Sequence, residues 1–539
     1  MTDTKTTARR SIWAWGNESD EPTEAERRAE ADRLSALSGR PVEAKPLPTT
    51  GSIALRPPRV RVPAALAAFC HSDDYHRASR TYGRSFVDRV RAVNGDYAHP
   101  PDVVARPREE DEVRAVLEWC SDAGHVVIPF GGGSSVVDGV NPPAAADSVV
   151  TLHLGEMNEV LTVDTTSRAA RIQAGALGPQ LEAQLKPPDL TPRHFPQSFQ
   201  EHSSLGGWIA TRSGGHYATN HTHIDEFVES LRMLTPAGVM ESRRLPGSGA
   251  GPSPDRLAIG SEGALGVITE AWMRLQKRPQ FRASAGVTFG SWEAAYRGVL
   301  QVVQAKLWPA NLRLLDPLEA HTAAGLDGSR ALMVVGFESG DAPVGGLMQQ
   351  AIAIAREAGG AVDDEEILID DGGGAPTGRE GAVGTWRKSF ITGPYDANRR
   401  MGLGLVADTF ETAITWDRWP AFDAAIREAV GRVLDETLDA PTLSCRFTHV
   451  YPDGPAPYYT FSGIGRQGAE IEQFYTIKRA ASEAVIAAGG TITHHHAVGR
   501  QHRPWYDRQR PELFASALRA AKRELDPNGV MNPGVLIDP

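Results

Sequence analysis

The chain has 539 residues, 41% hydrophobic and 23% charged, the proportions of a soluble globular protein with room for three or four units of about 150 residues. Its 56 Lys and Arg against 67 Asp and Glu leave a formal charge of −11, which repels nucleic acid and anionic lipid at long range. Cys70, Cys120 and Cys445 are scattered, no apolar run reaches about 18 residues, and residues 1–10 lack the apolar core of a leader, so a cytoplasmic protein without a transmembrane segment, disulfides or structural zinc is expected.

Residues 18–44, rich in Glu, Ala and Arg, predict a helix, and the prolines over 46–63 predict an extended connector; no chemistry is expected there. Val113, Val116, Leu117 and Cys120 follow an acidic start and predict an amphipathic helix matched to its dipole. The strand Val126–Phe130 then runs into Gly131-Gly132-Gly133-Ser134-Ser135, with further strands over 148–154 and 169–174. Consecutive glycines let backbone N–H groups converge on an anion such as a pyrophosphate, and the two serine hydroxyls add donors. The loop is neither GxGxxG nor a P-loop, which disfavours ATP chemistry, and by itself it fits a ligand-free hairpin equally well. A β-prone run over 265–274 ends at Arg278-Pro279, and 279–440 reads as a second domain interrupted by an acidic, glycine-rich loop over 363–381. The last hundred residues carry a helix with Ile471, Phe474 and Tyr475 on one face, the triplet His494-His495-His496, a closing helix and the turn Asp526-Pro527-Asn528-Gly529.

Further Gly/Ser clusters accompany the glycine loop: Pro196-Gln197-Ser198, Ser204-Leu205-Gly206-Gly207-Trp208, Thr211-Arg212-Ser213-Gly214-Gly215, and 260–268. In this order the set resembles the PCMH-type FAD-binding domain of the vanillyl-alcohol oxidase superfamily. Arg313-Leu314-Leu315-Asp316, Phe410-Glu411-Thr412, Trp416-Asp417-Arg418 and the histidine triplet narrow the resemblance, over about 80–539 and faintly over Trp13 to Gly16, to the alkyldihydroxyacetonephosphate synthase family. The resemblance implies an α+β fold: an N-terminal helical and extended region (1–97), a two-lobed FAD-binding domain (98–278), an α/β cap domain (279–440) and a C-terminal segment (441–539) that returns to the FAD domain with the histidines. It also implies FAD, bound non-covalently because the glycine loop holds no His or Cys. By the same resemblance Pro129, Phe130, Gly131, Gly132, Gly133, Ser134 and Ser135 contact the pyrophosphate. Pro196, Ser198, Ser204, Gly206, Gly207, Thr211, Arg212, Ser213 and Gly214 take the flavin and ribityl region, and Glu262, Gly263, Ala264, Leu265, Gly266, Val267 and Ile268 take the adenosine side and support the isoalloxazine.

Imidazole exchanges protons near neutral pH, so three adjacent histidines suit a base, a donor and a substrate clamp, though neighbours cannot all face one point. Their spacing fits neither HExxH nor two ligands one helical turn apart, so no metal is expected. The resemblance makes His495 the base that takes a proton from the carbon beside a carbonyl, with His494 and His496 orienting and binding. It makes Tyr458 the proton donor or acceptor, its phenol pKa expected to be lowered by its partners. Tyr459 is the competitor, and strand neighbours point to opposite faces. Arg313 resembles a family arginine that suits phosphate or carboxylate, against the alternative of a salt bridge to Asp316.

The implied reaction exchanges the acyl chain of acyl-dihydroxyacetone phosphate for a fatty alcohol, without net redox, in ether-lipid synthesis. One departure bears on it: the family arginine after a Pro-Tyr pair falls on Ala397, and Arg399 or Arg400 replaces it only if the loop shifts. The alternative is an FAD-linked oxidoreductase acting on a 2-hydroxy acid such as D-lactate or glycolate; His449-Val450-Tyr451-Pro452-Asp453-Gly454 lacks the metal arrangement such relatives carry. A flavoprotein that only binds or regulates is a third class. A small or lipid-like substrate, a homodimer, no nucleic acid, and peripheral membrane contact left open complete the expectations.

Overall fold

The computed structural model describes residues 9–200, 202–216, 223–374, 377–378 and 380–539. Three sheets organise it. A four-stranded sheet runs in the order Cys70–His71, Val103–Ala105, Val149–His153, Val126–Phe130, its last three strands parallel. The expected helix, Glu110–Ala123, lays Val113, Val116, Leu117 and Cys120 on this sheet and ends at Gly124 in the left-handed region. A five-stranded antiparallel sheet follows, in the order Val160–Asp164, Ala169–Gln173, Val267–Arg274, Val228–Thr235, Gly238–Glu241. Both lobes share one apolar core, which holds Val127, Val150, Ile172 and Met273.

The third sheet has seven antiparallel strands: Leu368–Asp371, Phe281–Phe289, Ala331–Ser339, Asn311–Leu315, Asp439–Tyr451, Gly454–Ile464, Leu405–Glu411. Four helices, Trp292–Gln304, Gly345–Glu357, Trp419–Thr437 and Glu470–Ala487, share a core with one of its faces. The strands alternate sharply. Leu312, Leu314, Cys445, Phe447, Tyr459, Phe461, Val406 and Phe410 enter that core, so Arg313, Arg446, Tyr458 and Glu411, their neighbours in sequence, project from the other face.

Several expectations change in detail. The N-terminal helix is shorter, Glu24–Ser38. The acidic loop contains the edge strand Leu368–Asp371. On Glu470–Ala487, Phe474 is buried while Tyr475 is 38% exposed, because successive helical residues lie about 100° apart. The segment after residue 440 first supplies two cap-sheet strands and returns to the FAD-side lobe only after residue 490, where Met531 bridges Val127 and Asn532 N–H donates to Val127 O at 2.9 Å. That return is fastened by a buried ion pair: Lys522 Nζ, fully inaccessible, donates to Asp526 Oδ2 (2.6 Å), Ala264 O (2.7 Å) and Met531 O (2.7 Å). Removing one partner strands a buried charge, so Asp526→Ala is expected to lower stability by about 3–5 kcal/mol, measured by urea unfolding; a loss indistinguishable from that of an exposed-surface substitution refutes this.

Candidate active site

The glycine loop follows the strand Val126–Phe130 on the edge of the parallel sheet, and its glycines are required by close packing. A Cβ at Gly131 would lie 2.1 Å from Ser204 Oγ, and one at Gly132 would lie 2.1 Å from the His202 carbonyl. Gly133 has φ +69°. The loop is thus locked to the 202–204 segment, and together they open a long cleft of about 240 Å³.

One end of the cleft is lined by Pro129 to Ser135, Pro196, Ser198, Ser204, Gly206, Gly207, Thr211, Gly214, Glu262, Gly263, Gly266, Val267 and Ile268; Arg313, Tyr458, His495 and His496 border the same cavity. Five of the expected residues do not line it. Arg212 turns outward to Asp225 (3.1 Å), Ser213 Oγ sits 3.2 Å from His194, and Ala264 and Leu265 are core residues. His494 lies behind the wall, its Nε2 2.5 Å from Tyr451 Oη and its Nδ1 3.0 Å from His495 Nδ1.

The chemical end is set by strand register. Arg446 pairs across the sheet with Tyr458, and Tyr458 with Glu411, giving a guanidinium, a phenol and a carboxylate in one row. The Arg446 guanidinium stacks 4.0 Å from the Tyr458 ring centroid and is held by Glu319 (2.5 Å). The Tyr458 hydroxyl accepts from Thr409 Oγ1 (3.0 Å), whereas Tyr459 points into the opposite core and donates to Asp423 (2.8 Å). Burial raises the Tyr458 pKa despite Arg446, so the phenol is protonated at neutral pH, against the lowered value expected from sequence.

Glu411, fully buried, holds the histidine loop. It accepts the backbone N–H groups of His494 (2.6 Å), His495 (3.2 Å) and His496 (3.0 Å) and the Thr493 hydroxyl (2.5 Å), with His495 Nδ1 at 3.4 Å. Burial opposes its charge, but the facing His495 and His496 outweigh that and hold its pKa well below the usual carboxylate range. Glu262, from the other lobe, accepts Val498 N–H (2.8 Å) and Gly499 N–H (2.7 Å), and burial pushes its pKa up to about 7. Gly214 lets this loop close in, since a Cβ there would meet His449 at 2.9 Å and the His495 Cβ at 3.4 Å.

Arg313 does not pair with Asp316, which binds Arg427 (3.0 Å); its guanidinium meets His216 O (3.3 Å) and Asn311 (3.2 Å) beneath Trp386 and Phe390. Arg399 pairs with Asp396 (2.9 Å), and neither Arg399 nor Arg400 lines the cleft, so neither takes the place left by Ala397. Sequence reasoning missed Arg446, Glu411 and His449 as site residues, although Glu411 and His449 stand inside segments it quoted. Trp15, in the segment of faint resemblance ahead of the first helix, also lines the cleft without having been named as a site residue.

An extended dinucleotide fits these walls. Backbone from four separated Gly/Ser segments faces the cleft, and Ser261 Oγ and Trp208 Nε1, both buried in its wall, have no partner among the described residues. Comparison with known proteins gives the class. Residues 101–242 match the family "FAD binding domain" and residues 278–536 the family "FAD linked oxidases, C-terminal domain". The chain is an FAD-dependent enzyme built from these two domains.

Within that class it is similar to alkyldihydroxyacetonephosphate synthase of Trypanosoma brucei brucei, 28% identical over 86% of this chain and 78% of that protein. It is also similar to the glycolate oxidase subunit GlcD of Bacillus subtilis (strain 168), 26% identical over 81% and 89%. A solved alkyldihydroxyacetonephosphate synthase superposes with TM-score 0.74 at 25% identity, covering 91% of this chain and 89% of that one. p-Cresol methylhydroxylase with bound substrate shares the fold, with TM-score 0.67 at 14% identity over 96% and 98%.

The buried histidines make stability pH-dependent. Burial drives His194 and His496 down to about 3 and His502 to about 4, below an unfolded value near 6.5. The unfolded chain therefore takes up protons first as pH falls. The histidines' contribution is full above about pH 6.5 and declines toward pH 3–4 by up to about 1.4 kcal/mol per pH unit per histidine, offset in part by Glu262, whose raised pKa makes the folded state take up that proton first. Thermal denaturation should show a clear drop in Tm between pH 7.5 and 5; a flat profile contradicts these assignments.

Proposed function

We propose that this enzyme is an alkyldihydroxyacetonephosphate synthase-like transferase that replaces the acyl chain of acyl-dihydroxyacetone phosphate by a fatty alcohol. The observation that carries this reading is the row Arg446, Tyr458, Glu411 meeting the histidine loop at one end of the glycine-lined cleft. Similarity to the synthases of Trypanosoma brucei brucei, Dictyostelium discoideum and Caenorhabditis elegans, each 28% identical over 86% of the chain, supports it.

When bound, FAD supplies the electron-accepting ring of the reaction. His495 is the base for the proton on the carbon beside the carbonyl, and its loop is held by Glu411 so that the ring faces the cleft. Tyr458, protonated, donates to the departing oxygen, with Arg446 stacked behind it stabilising negative charge. Arg313 binds the anionic end of the substrate. An adjoining cavity of about 340 Å³, which shares His216 with the cleft, is lined by Arg193, Arg282 and Arg387 together with Asp370 and Glu338, the last paired with Arg193 and Arg282. Three free cysteines support a reducing, cytoplasmic setting.

One observation favours the second reading, a metal-assisted 2-hydroxy-acid dehydrogenase: ligand atoms of His449, His494 and His495 lie within 4.8 Å of one another.

Anaerobic mixing separates the two. Palmitoyl-dihydroxyacetone phosphate should bleach the flavin band, fatty alcohol should restore it, and an ether product should form, all unaffected by a chelator. Lasting bleaching by D-lactate or glycolate, recovering only with an electron acceptor, would sink the synthase reading. Tyr458→Phe and His495→Ala should each cut turnover by about 10²–10⁴-fold at unchanged FAD content.

A further inference from the structure

The segment before the first helix crosses the back of the glycine loop. Arg10 donates from Nη1 to Gly132 O, a short contact, and from Nη2 to Gly133 O (3.2 Å). Its backbone O accepts from Tyr75 Oη (3.3 Å), and the neighbouring Ser11 O accepts from Arg84 Nη2 (2.9 Å). Trp13 is fully buried in the cap core. Trp15 is gripped at both backbone groups by Asn398, its N–H donating to Oδ1 (3.0 Å) and its O accepting from Nδ2 (2.9 Å). Gly16 N–H donates to His202 Nε2 (2.8 Å), on the segment locked to the glycine loop.

Two features of this arrangement ask for an anion. In a planar trans peptide the C=O and the following N–H point in opposite directions. With the Gly132 and Gly133 carbonyls turned back onto Arg10, the N–H groups of Gly133 and Ser134 face the other way, toward the cleft that both residues line. Neither N–H has a hydrogen-bond partner among the described residues. The second feature is charge. Burial, and then the neighbouring cations Arg84 and Arg80, lower the Arg10 pKa, with Tyr75 opposing, and Arg10 Nη1 also lies 2.9 Å from His202 Nδ1. A half-buried guanidinium in such company is costly unless an anion compensates it.

We propose that residues 10–16 form a cofactor latch: Arg10, a positioning residue, turns the Gly133 and Ser134 N–H groups onto the diphosphate of FAD and supplies positive charge behind the loop, while Trp15 completes the cleft wall. The latch lies outside the region matched to the FAD binding domain, which begins at residue 101. It ties retention of the dinucleotide to docking of the N terminus against both the glycine loop and the cap, the latter through Asn398.

The test compares ligands with and without the diphosphate. In the full-length protein, Arg10→Gln should weaken FAD binding by about 10–100-fold, the scale of charge-assisted hydrogen bonds, read by flavin fluorescence on dilution. Riboflavin binding should stay at the wild-type value, and Arg10→Lys should restore part of the FAD affinity. Equal losses for FAD and riboflavin, or no loss for either, overturn the proposal. If Arg10→Gln does not fold, the wild-type apoprotein decides: inorganic pyrophosphate should raise its Tm and protect the N-terminal segment from trypsin, and an absence of both effects overturns the proposal.

Discussion

A single buried carboxylate organises the chemical end of this protein. Glu411 sits at the end of the last cap strand, inaccessible to solvent, and gathers three consecutive backbone N–H groups and a hydroxyl from the histidine loop. Without those donors the carboxylate would carry a desolvation cost of several kcal/mol; with them, the loop has one conformation. The same strand register that brings Glu411 to this place sets Tyr458 and Arg446 beside it, so sheet geometry and loop geometry are one constraint.

A second carboxylate makes that constraint bridge the domains. Glu262, from the FAD-side lobe, binds the other end of the loop at Val498 and Gly499, between residues whose positive φ values (Ala497 +74°, Gly499 +53°) turn the chain sharply. The histidines are therefore suspended between a cap strand and the cofactor lobe. Relative movement of the two would be felt at both carboxylates, which gives a physical reason for the buried fastening of the C-terminal return by Lys522 and Asp526.

Charge distribution gives the site its polarity. The molecule is acidic overall, yet guanidinium groups crowd the cleft and its surroundings: Arg313 and Arg446 at the chemical end, Arg10, Arg80 and Arg84 behind the glycine loop, and Arg193, Arg282 and Arg387 in the adjoining cavity. Several of them are already paired, Arg446 with Glu319 and Arg193 and Arg282 with Glu338. Tyr458, its pKa raised by burial, is protonated at neutral pH and suits a proton donor better than a base.

Local signals made much of this legible before any fold was known. Helical periodicity located Glu110–Ala123, strand-like runs located Val126–Phe130 and Ala169–Gln173, and the alternation of strands assigned Tyr458 and Tyr459 to opposite faces. The Gly/Ser segments pointed by their composition to an extended anionic cofactor, and to FAD through the family they resemble. What sequence could not supply is whatever depends on contacts across hundreds of residues. Glu411 stood in a quoted motif without a role, because its partners come 82 to 85 positions later. Arg10 gave no signal, because its acceptors lie 122 and 123 positions away and backbone carbonyls carry no side-chain signature. Arg212 and Leu265 share the composition of the cleft-lining segments but face solvent and core, since segment membership does not fix the direction of a side chain. Sequence alone determined the elements, the cofactor class and the reactive residue types. The tertiary structure decided which of them meet, because register, burial and charge compensation are properties of the assembled chain.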